Sequence, residues 1–256
     1  MNLKMDISLA ERYKSASQIA RVITEAWMLE NGYCPVCSSS LVKAHNNAKV
    51  LDFNCAKCEG QFELKGKSGR LGKAIGDGAY SSMMQRITEL NKPHFFFLGY
   101  SKTYLVTDCI AVPNYFFQPS VIKQRKPLLP TAKRAGWVGC NILLDQIPEL
   151  GKIKLIENSK IISPDLVVKT WGKTAFLGQQ KQLEVRGWTL DILNCIERIR
   201  AKEFNLEQIY KFEPELSARH PNNNFVKDKI RQQLQILRDK DVLEFNGHGN
   251  YRLVDS

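Results

Sequence analysis

The sequence predicts a mixed α/β domain followed by a small winged-helix domain, and three observations carry that expectation. Residues 15–112 pass from a helical stripe through short apolar runs of strand type. Residues 188–253 read as three helices and then strand, turn, strand. Two Cys-x-x-Cys pairs lie inside the first of these regions, where a local metal clamp would brace short elements.

The elements follow in order. Ser15 to Asn31 places Ile19, Val22, Ile23, Ala26 and Trp27 on one stripe, and Gly32 stops the helix. Tyr33 to Gly60 is turn-rich and punctuated by cysteines, and Phe62 to Lys67 reads as a strand. Lys73 to Leu90 spaces Ile75, Ala79, Met83 and Ile87 as a second helix ended by Asn91-Lys92-Pro93. Phe95 to Leu98, Tyr104 to Val106 and Ile110 to Val112 are apolar runs of the kind that form buried strands, and Ile153 to Ile156 follows a long basic stretch. From Trp171 to Arg186 the pattern turns polar and loses its period, so the division is expected at 1–182 and 183–256. Beyond it come helices over Trp188–Ile199, Leu206–Phe212 with Asn205 as cap, and Phe225–Asp239. Val242 to Phe245, the turn Asn246-Gly247-His248-Gly249, and Asn250 to Leu253 complete the winged-helix order.

Composition narrows the class. The chain of 256 residues is 43% hydrophobic, enough for a real core. It has no apolar run of membrane-spanning length and no apolar leader after Met1, which points to a cytoplasmic protein. Its formal charge is +11, and the excess is uneven: residues 181–256 hold 13 Lys and Arg against 12 Asp and Glu, and residues 1–180 hold 24 against 14. An excess of that size favours a polyanionic partner such as nucleic acid, against the alternative of a basic protein without one.

Cys34-x-x-Cys37 and Cys55-x-x-Cys58 are separated by 17 residues, a spacing suited to one tetrahedral zinc ion held by four thiolates. With four protein ligands such an ion has no open position and is structural. The competing reading, a redox dithiol, lacks the strand-helix-strand setting of such motifs. Cys109, Cys140 and Cys195 are isolated and read as core residues, and His45, His94, His220 and His248 form no metal-binding grouping.

Asp52 is followed after ten residues by Glu63-Leu64-Lys65. In a strand Glu63 and Lys65 share a face while Phe62 and Leu64 turn to the core, and Asp52 can meet Glu63 across a hairpin. Two carboxylates suit Mg²⁺, which lowers the pKa of a bound water, and a lysine ammonium can orient that water. This D…(D/E)xK pattern is common by chance, and its bland alternative is a solvated hairpin face.

Assembled, these stretches make the chain resemble the DpnI-type methyl-directed restriction endonucleases. The resemblance runs through "GYCPVC", "DFNCAKC", "FELKGK", "DGAYSSMMQR", "FFFLGY", "QRKPLLPTAKRAGWVGCNI", "RGWTLDILNCI" and "KIRQQLQILRDKDVLEF". It implies a PD-(D/E)xK nuclease core with a zinc site and a C-terminal winged helix. It also implies Mg²⁺-dependent type II cleavage of double-stranded DNA at GATC when the adenine is N6-methylated, as a defence against methylated foreign DNA. Asp52, Glu63 and Lys65 then inherit the catalytic roles, with Asp52, Glu63 and the Leu64 backbone carbonyl as magnesium ligands. Cys34, Cys37, Cys55 and Cys58 inherit the zinc. The proline usual before the first aspartate is replaced by Leu51. The protein is expected to be a monomer in solution.

An N6-methyl group places an apolar surface in the major groove. Trp137, beside Lys133 and Arg134, is the candidate reader, and the resemblance points to the same residue; otherwise it is a core tryptophan beside a basic loop. In the winged helix, Asn223, Asn224, Lys227, Asp228, Arg231 and Gln232 lie at the start of the third helix, where base contacts are made, and His248 sits at the wing tip near phosphate. The same charges suit a plain solvated helix face. A zinc-containing winged-helix regulator that binds DNA without cutting it is the alternative from another functional class.

Overall fold

A computed structural model describes residues 1–44, 51–89, 92–180 and 183–254. His45, Leu90, Asn91 and residues 181–182, the end of the expected first domain, lie outside them. The chain separates into two compact units, Met1–Gly172 and Lys173–Ser256.

In the first unit the elements are α1 (Ala16–Asn31), β1 (Leu41–Lys43), β2 (Phe53–Cys55), β3 (Gln61–Ser68), β4 (Ala74–Ala79), α2 (Tyr80–Thr88), β5 (His94–Tyr100), β6 (Val106–Val112), β7 (Ile122–Gln124), β8 (Gly139–Leu143), β9 (Ile153–Glu157) and β10 (Lys160–Ile161). α3 (Pro164–Gln179) starts in this unit and ends in the next. Seven strands form one sheet in the order β1-β2-β3-β5-β6-β9-β10, and β4-β8-β7 form a second. Among the described residues only β3 and β5 pair in parallel, in continuous register from Phe62 opposite His94 to Ser68 opposite Tyr100. A parallel pair needs a crossover, and β4 with α2 supplies it.

β5 is buried on both faces, as its unbroken Phe95-Phe96-Phe97-Leu98 run requires. Phe96 and Leu98 join Phe62 and the α1 residues Ile23, Trp27 and Met28 in one core. Phe62 stacks on Phe96 with ring centroids 4.9 Å apart. On the other face Phe95 meets Phe117 at 4.6 Å.

The expected helix over Lys73–Leu90 is corrected. Its first half is the strand β4, and only Tyr80–Thr88 is helical. Gly76 and Gly78 each disfavour a helix by about 1 kcal/mol, whereas β8 offers an antiparallel partner from Ala74 opposite Leu143 to Ala79 opposite Gly139. The supposed loss of helical period after Trp171 is corrected too. α3 buries Val167, Trp171, Thr174 and Leu177 at helical spacing, a stripe that the polar Thr174 hides in the sequence.

His94 packs beside the first core, edge-on to Trp171 at 4.8 Å and with its ring 5.4 Å from that of Phe62. Its Nδ1 accepts the Asn114 N–H at 3.0 Å, and burial pushes its pKa down to about 4. The unfolded chain therefore binds a proton that the folded unit refuses. Stability should fall as pH drops from about 6.5 towards about 4, by about 3 kcal/mol from this group, with no further loss below. Denaturant melts of the wild type and His94→Gln from pH 7 to pH 4 check this; equal acid losses in the two proteins would contradict it.

The second unit holds α4 (Leu183–Ile199), β11 (Glu203–Asn205), α5 (Leu206–Tyr210), α6 (Glu213–Arg219), α7 (Val226–Asp239), β12 (Leu243–Phe245) and β13 (Asn250–Leu253). Its strands form a sheet in the order β11-β13-β12. Asn205 caps α5 in a reciprocal box with Gln208, at 3.0 and 2.8 Å. β11 and α6 are additions to the expected order; Pro214 near the start of α6 suits a first turn rather than a break. α7 turns Val226, Ile230, Leu234 and Leu237 inward, as its spacing predicts, and also buries Gln233, which accepts from the Thr189 hydroxyl at 2.6 Å. Trp188 is a core residue stacked on His220 at 3.9 Å. The wing turn holds Gly247, His248 and Gly249 at φ 82°, 47° and 76°, a left-handed run that two glycines make accessible.

Candidate active site and metal centre

The two cysteine pairs fold into matching turns. Each is followed by a residue in the left-handed region, Ser38 at φ 57° and Glu59 at φ 58°. Backbone amides turn toward the sulfurs: Lys57 and Cys58 N–H donate to Cys55 Sγ at 3.3 and 3.4 Å. The antiparallel pairing of β1 with β2 brings the turns together, Leu41 opposite Cys55. Cys34 and Cys58 Sγ lie 3.5 Å apart, as do Cys37 and Cys55 Sγ, and all four sulfurs are within 4.8 Å of one another. Four thiolates around zinc at ~2.3 Å would be roughly 3.8 Å apart. The cluster therefore fits a closed tetrahedral ion with little movement. Burial pushes the Cys34 thiol up, and it opposes ionisation at Cys37 too, but there hydrogen bonds from Ser39, Cys55 and Cys58 together outweigh it and bring the thiol down to about 6. Cys109, Cys140 and Cys195 are free and buried.

The hairpin that carries Cys55 and Cys58 also carries the acidic residues. β2 pairs with β3 only at Phe53 opposite Phe62 and Asn54 opposite Gln61, while β3 runs on to Ser68. Among the described residues that edge of β3 has no strand beyond Phe62, and Asp52 fills the gap. Its N–H donates to Phe62 O at 3.0 Å, and its Oδ2 accepts the Leu64 N–H at 2.7 Å. In an extended strand a residue's N–H and C=O point to the same edge, so the Leu64 carbonyl also faces Asp52's side. Burial pushes the Asp52 carboxyl above the usual carboxylate range, with the Leu64 amide opposing.

Glu63 and Lys65 share the opposite face to Phe62, but that face is not solvated: Glu63 is only 3% exposed. β4 and α2 cover it, and each contributes a charge. Glu63 Oε1 is 2.5 Å from Lys65 Nζ, and its Oε2 is 2.6 Å from an Arg86 guanidinium nitrogen on α2. The Lys65 ammonium makes a second, short ion pair with Asp77 on β4. Burial alone would depress the lysine, but Glu63 and Asp77 together hold it above its ordinary value, and burial raises Glu63. The structure thus pairs Glu63 with Lys65, sets Asp52 on the amide of the intervening Leu64, and adds Asp77 and Arg86, which sequence reading missed. In one continuous helix, residues nine apart point to opposite sides, so the misread Lys73–Leu90 helix separates these two. The donor types fit Mg²⁺: the Asp52 and Glu63 carboxylates and the Leu64 backbone carbonyl are hard oxygen ligands.

Trp137 follows the exposed Lys133 and Arg134 on a loop that leads into β8, and β8 pairs with β4 so that Cys140 lies opposite Asp77. Trp137 is half-buried, and the Arg134 guanidinium lies over its ring at 4.5 Å. A Cβ at Gly139 would come within 2.8 Å of that ring, so the glycine lets the indole lie flat against the strand. Leu129 in the same loop is 71% exposed.

On α7 the expected contact residues divide. Asn224, Gln232 and, on the wing, His248 are exposed. Arg231 pairs with Asp228 and donates to the Tyr210 hydroxyl at 2.9 Å, and Lys227 lies 3.4 Å from Glu213. Asn223 Oδ1 accepts the Phe225 N–H at 2.8 Å. Phe225, at the head of the helix and 72% exposed, is a further surface residue that the inward-facing pattern did not flag. Among the described residues no helix is long and apolar enough to cross a membrane.

Two family models match the chain. One, described as the Dam-replacing family, covers residues 1–180, and the other, described as the Dam-replacing HTH domain, covers residues 184–253.

Proposed function

The chain belongs to the Dam-replacing family of DpnI-type methyl-directed endonucleases, and from that premise we propose that it is a Mg²⁺-dependent type II enzyme cutting double-stranded DNA at N6-methylated GATC. Membership makes it a methylation-dependent restriction enzyme that binds DNA. The finer reading assigns a PD-(D/E)xK nuclease domain to residues 1–182 and a winged-helix domain to 183–256. The chain works as a cytoplasmic monomer against methylated foreign DNA.

The observation that carries this reading is the buried Glu63 paired with Lys65 on β3, with the Asp52 carboxylate fastened to the amide of Leu64 between them. Asp52, Glu63 and the Leu64 carbonyl would hold magnesium, which when bound supplies Lewis acidity and an acidified water. Lys65, kept charged by Glu63 and Asp77, orients the attacking water and balances charge on the phosphate. Asp52 is held in place by the Leu64 amide, so the carboxylate is aimed before any ligand arrives. Cys34, Cys37, Cys55 and Cys58 would hold zinc and brace the hairpin that carries Asp52.

Trp137, with Lys133 and Arg134 beside it, supplies an apolar face for the N6-methyl and cations for the flanking phosphates. In the second domain Asn223, Asn224, Lys227, Asp228, Arg231 and Gln232 present the head of α7 to the major groove, and His248 meets the backbone. Digesting plasmid from an adenine-methylating host, and its unmethylated twin, with Mg²⁺ and sequencing the ends tests the reading. Cuts confined to GATC in the methylated plasmid are expected. Intact methylated plasmid that is nonetheless bound would make the protein a regulator and not a nuclease.

A further inference from the structure

We propose that Arg86 holds the place of a divalent ion on Glu63 and, once the ion is bound, serves as the arginine that grips the scissile phosphate. The inference rests on the nuclease reading above. Both oxygens of Glu63 are engaged by cations, Oε1 by Lys65 at 2.5 Å and Oε2 by Arg86 at 2.6 Å. A metal that takes Glu63 sets two further positive charges against these cations, and that repulsion favours the departure of one of them. Lys65 is tied a second time, to Asp77, on the strand face it shares with Glu63. Arg86 reaches in from the neighbouring α2, and among the described residues Glu63 is the only ion-pair partner its side chain has. Arg86 is therefore the cation free to leave, by rotation of a long side chain.

Charge decides where it goes. Asp52, Glu63 and Asp77 bring three negative charges, Lys65 and Arg86 bring two positive ones, and Glu25 and Arg21 beside Asp52 cancel, so the cluster is one negative charge in excess. A divalent ion turns that into one positive charge in excess, which a phosphodiester neutralises. Without Arg86 the loaded cluster would be neutral and would hold no surplus for the phosphate. A displaced guanidinium also has the planar fork that pairs with two phosphate oxygens. Before loading, Arg86 keeps Glu63 in its buried position without an uncompensated charge.

The test uses Arg86→Ala and Arg86→Lys in the full chain. Calcium alone, titrated calorimetrically without DNA, should bind Arg86→Ala several-fold more tightly than wild type, because a competing cation is gone. Arg86→Lys should bind it as wild type does. Single-turnover cleavage at saturating Mg²⁺ should fall at least ~100-fold in Arg86→Ala and ~10-fold in Arg86→Lys, which keeps the charge but loses the fork. Tighter metal with slower cleavage is a combination that a merely structural arginine would not give. Weaker calcium binding by a folded Arg86→Ala, or wild-type cleavage by Arg86→Lys, would overturn the proposal. If Arg86→Ala fails to fold, Arg86→Lys decides alone. Failure of the nuclease reading would look different: the wild type itself would leave methylated DNA uncut.

Discussion

Asp52→Ala is expected to lower the single-turnover cleavage rate at least ~1000-fold while zinc content and DNA binding stay at wild-type levels. The expectation follows from how little else Asp52 does. Among the described residues its carboxylate makes one hydrogen bond, from the Leu64 amide at 2.7 Å, at the margin of the hairpin and not in its core. Losing that bond costs about 1–2 kcal/mol, too little to unfold a unit whose core runs from α1 to β9. The chemical loss is of another order, since a hard ion held by two carboxylates and a carbonyl would keep only one carboxylate. Asp52→Asn keeps the shape and the acceptor oxygen and should be nearly as inactive. Binding is measured in Ca²⁺ and zinc by mass spectrometry of the native protein. Zinc lost together with activity would assign Asp52 a folding role instead.

The second large effect concerns the cysteines. Cys34→Ser, or removal of the metal by a strong chelator, should lower the melting temperature of the first unit by more than ~10 °C and abolish cleavage with it. The second unit, with its own core around Trp188, Ile230 and Leu234, should melt as before. Cys55 and Cys58 lie on the β2–β3 hairpin, and β2, which leads to Asp52, is a three-residue strand held by short pairings with β1 and β3. An unclamped hairpin would fray there and release the carboxylate from Leu64. Differential scanning calorimetry resolves the two transitions. An unchanged first transition in metal-stripped protein would show that the four sulfurs hold nothing structural. The two substitutions together separate two devices on one hairpin: one removes chemistry alone, the other removes the hairpin and the chemistry with it.

The parts of the site carried by short stretches are legible in the sequence. Two Cys-x-x-Cys turns, Glu63 two residues before Lys65 on a strand, and Asp52 one hairpin away need only local geometry to be found. What the sequence hides is the burial of that face and the groups that bury it. Alternation along β3 suggests a solvated Glu63, yet β4 and α2 close over it. Asp77 and Arg86 belong to the site only because Gly76 and Gly78 turn an apparent helix into strand plus helix, and apolar spacing alone does not detect that switch. The same limit appears on α7. Its inward stripe is readable, but Arg231 and Lys227 prove to be tied to Asp228 and Glu213, and the exposed Phe225 lies outside the pattern. Polar pairing across elements leaves no period in a sequence, whereas burial of a helix face does.

The central claim, that buried acids at the edge of β3 cut DNA only when its adenine carries a methyl group, is tested most directly by single-turnover cleavage of two synthetic duplexes. They share one GATC site and differ only in N6-methylation, and both are presented in Mg²⁺ at saturating enzyme. The account predicts cleavage of the methylated duplex at least ~100-fold faster, with Trp137→Ala narrowing that ratio. Equal rates on the two duplexes, or faster cutting of the unmethylated one, would contradict it.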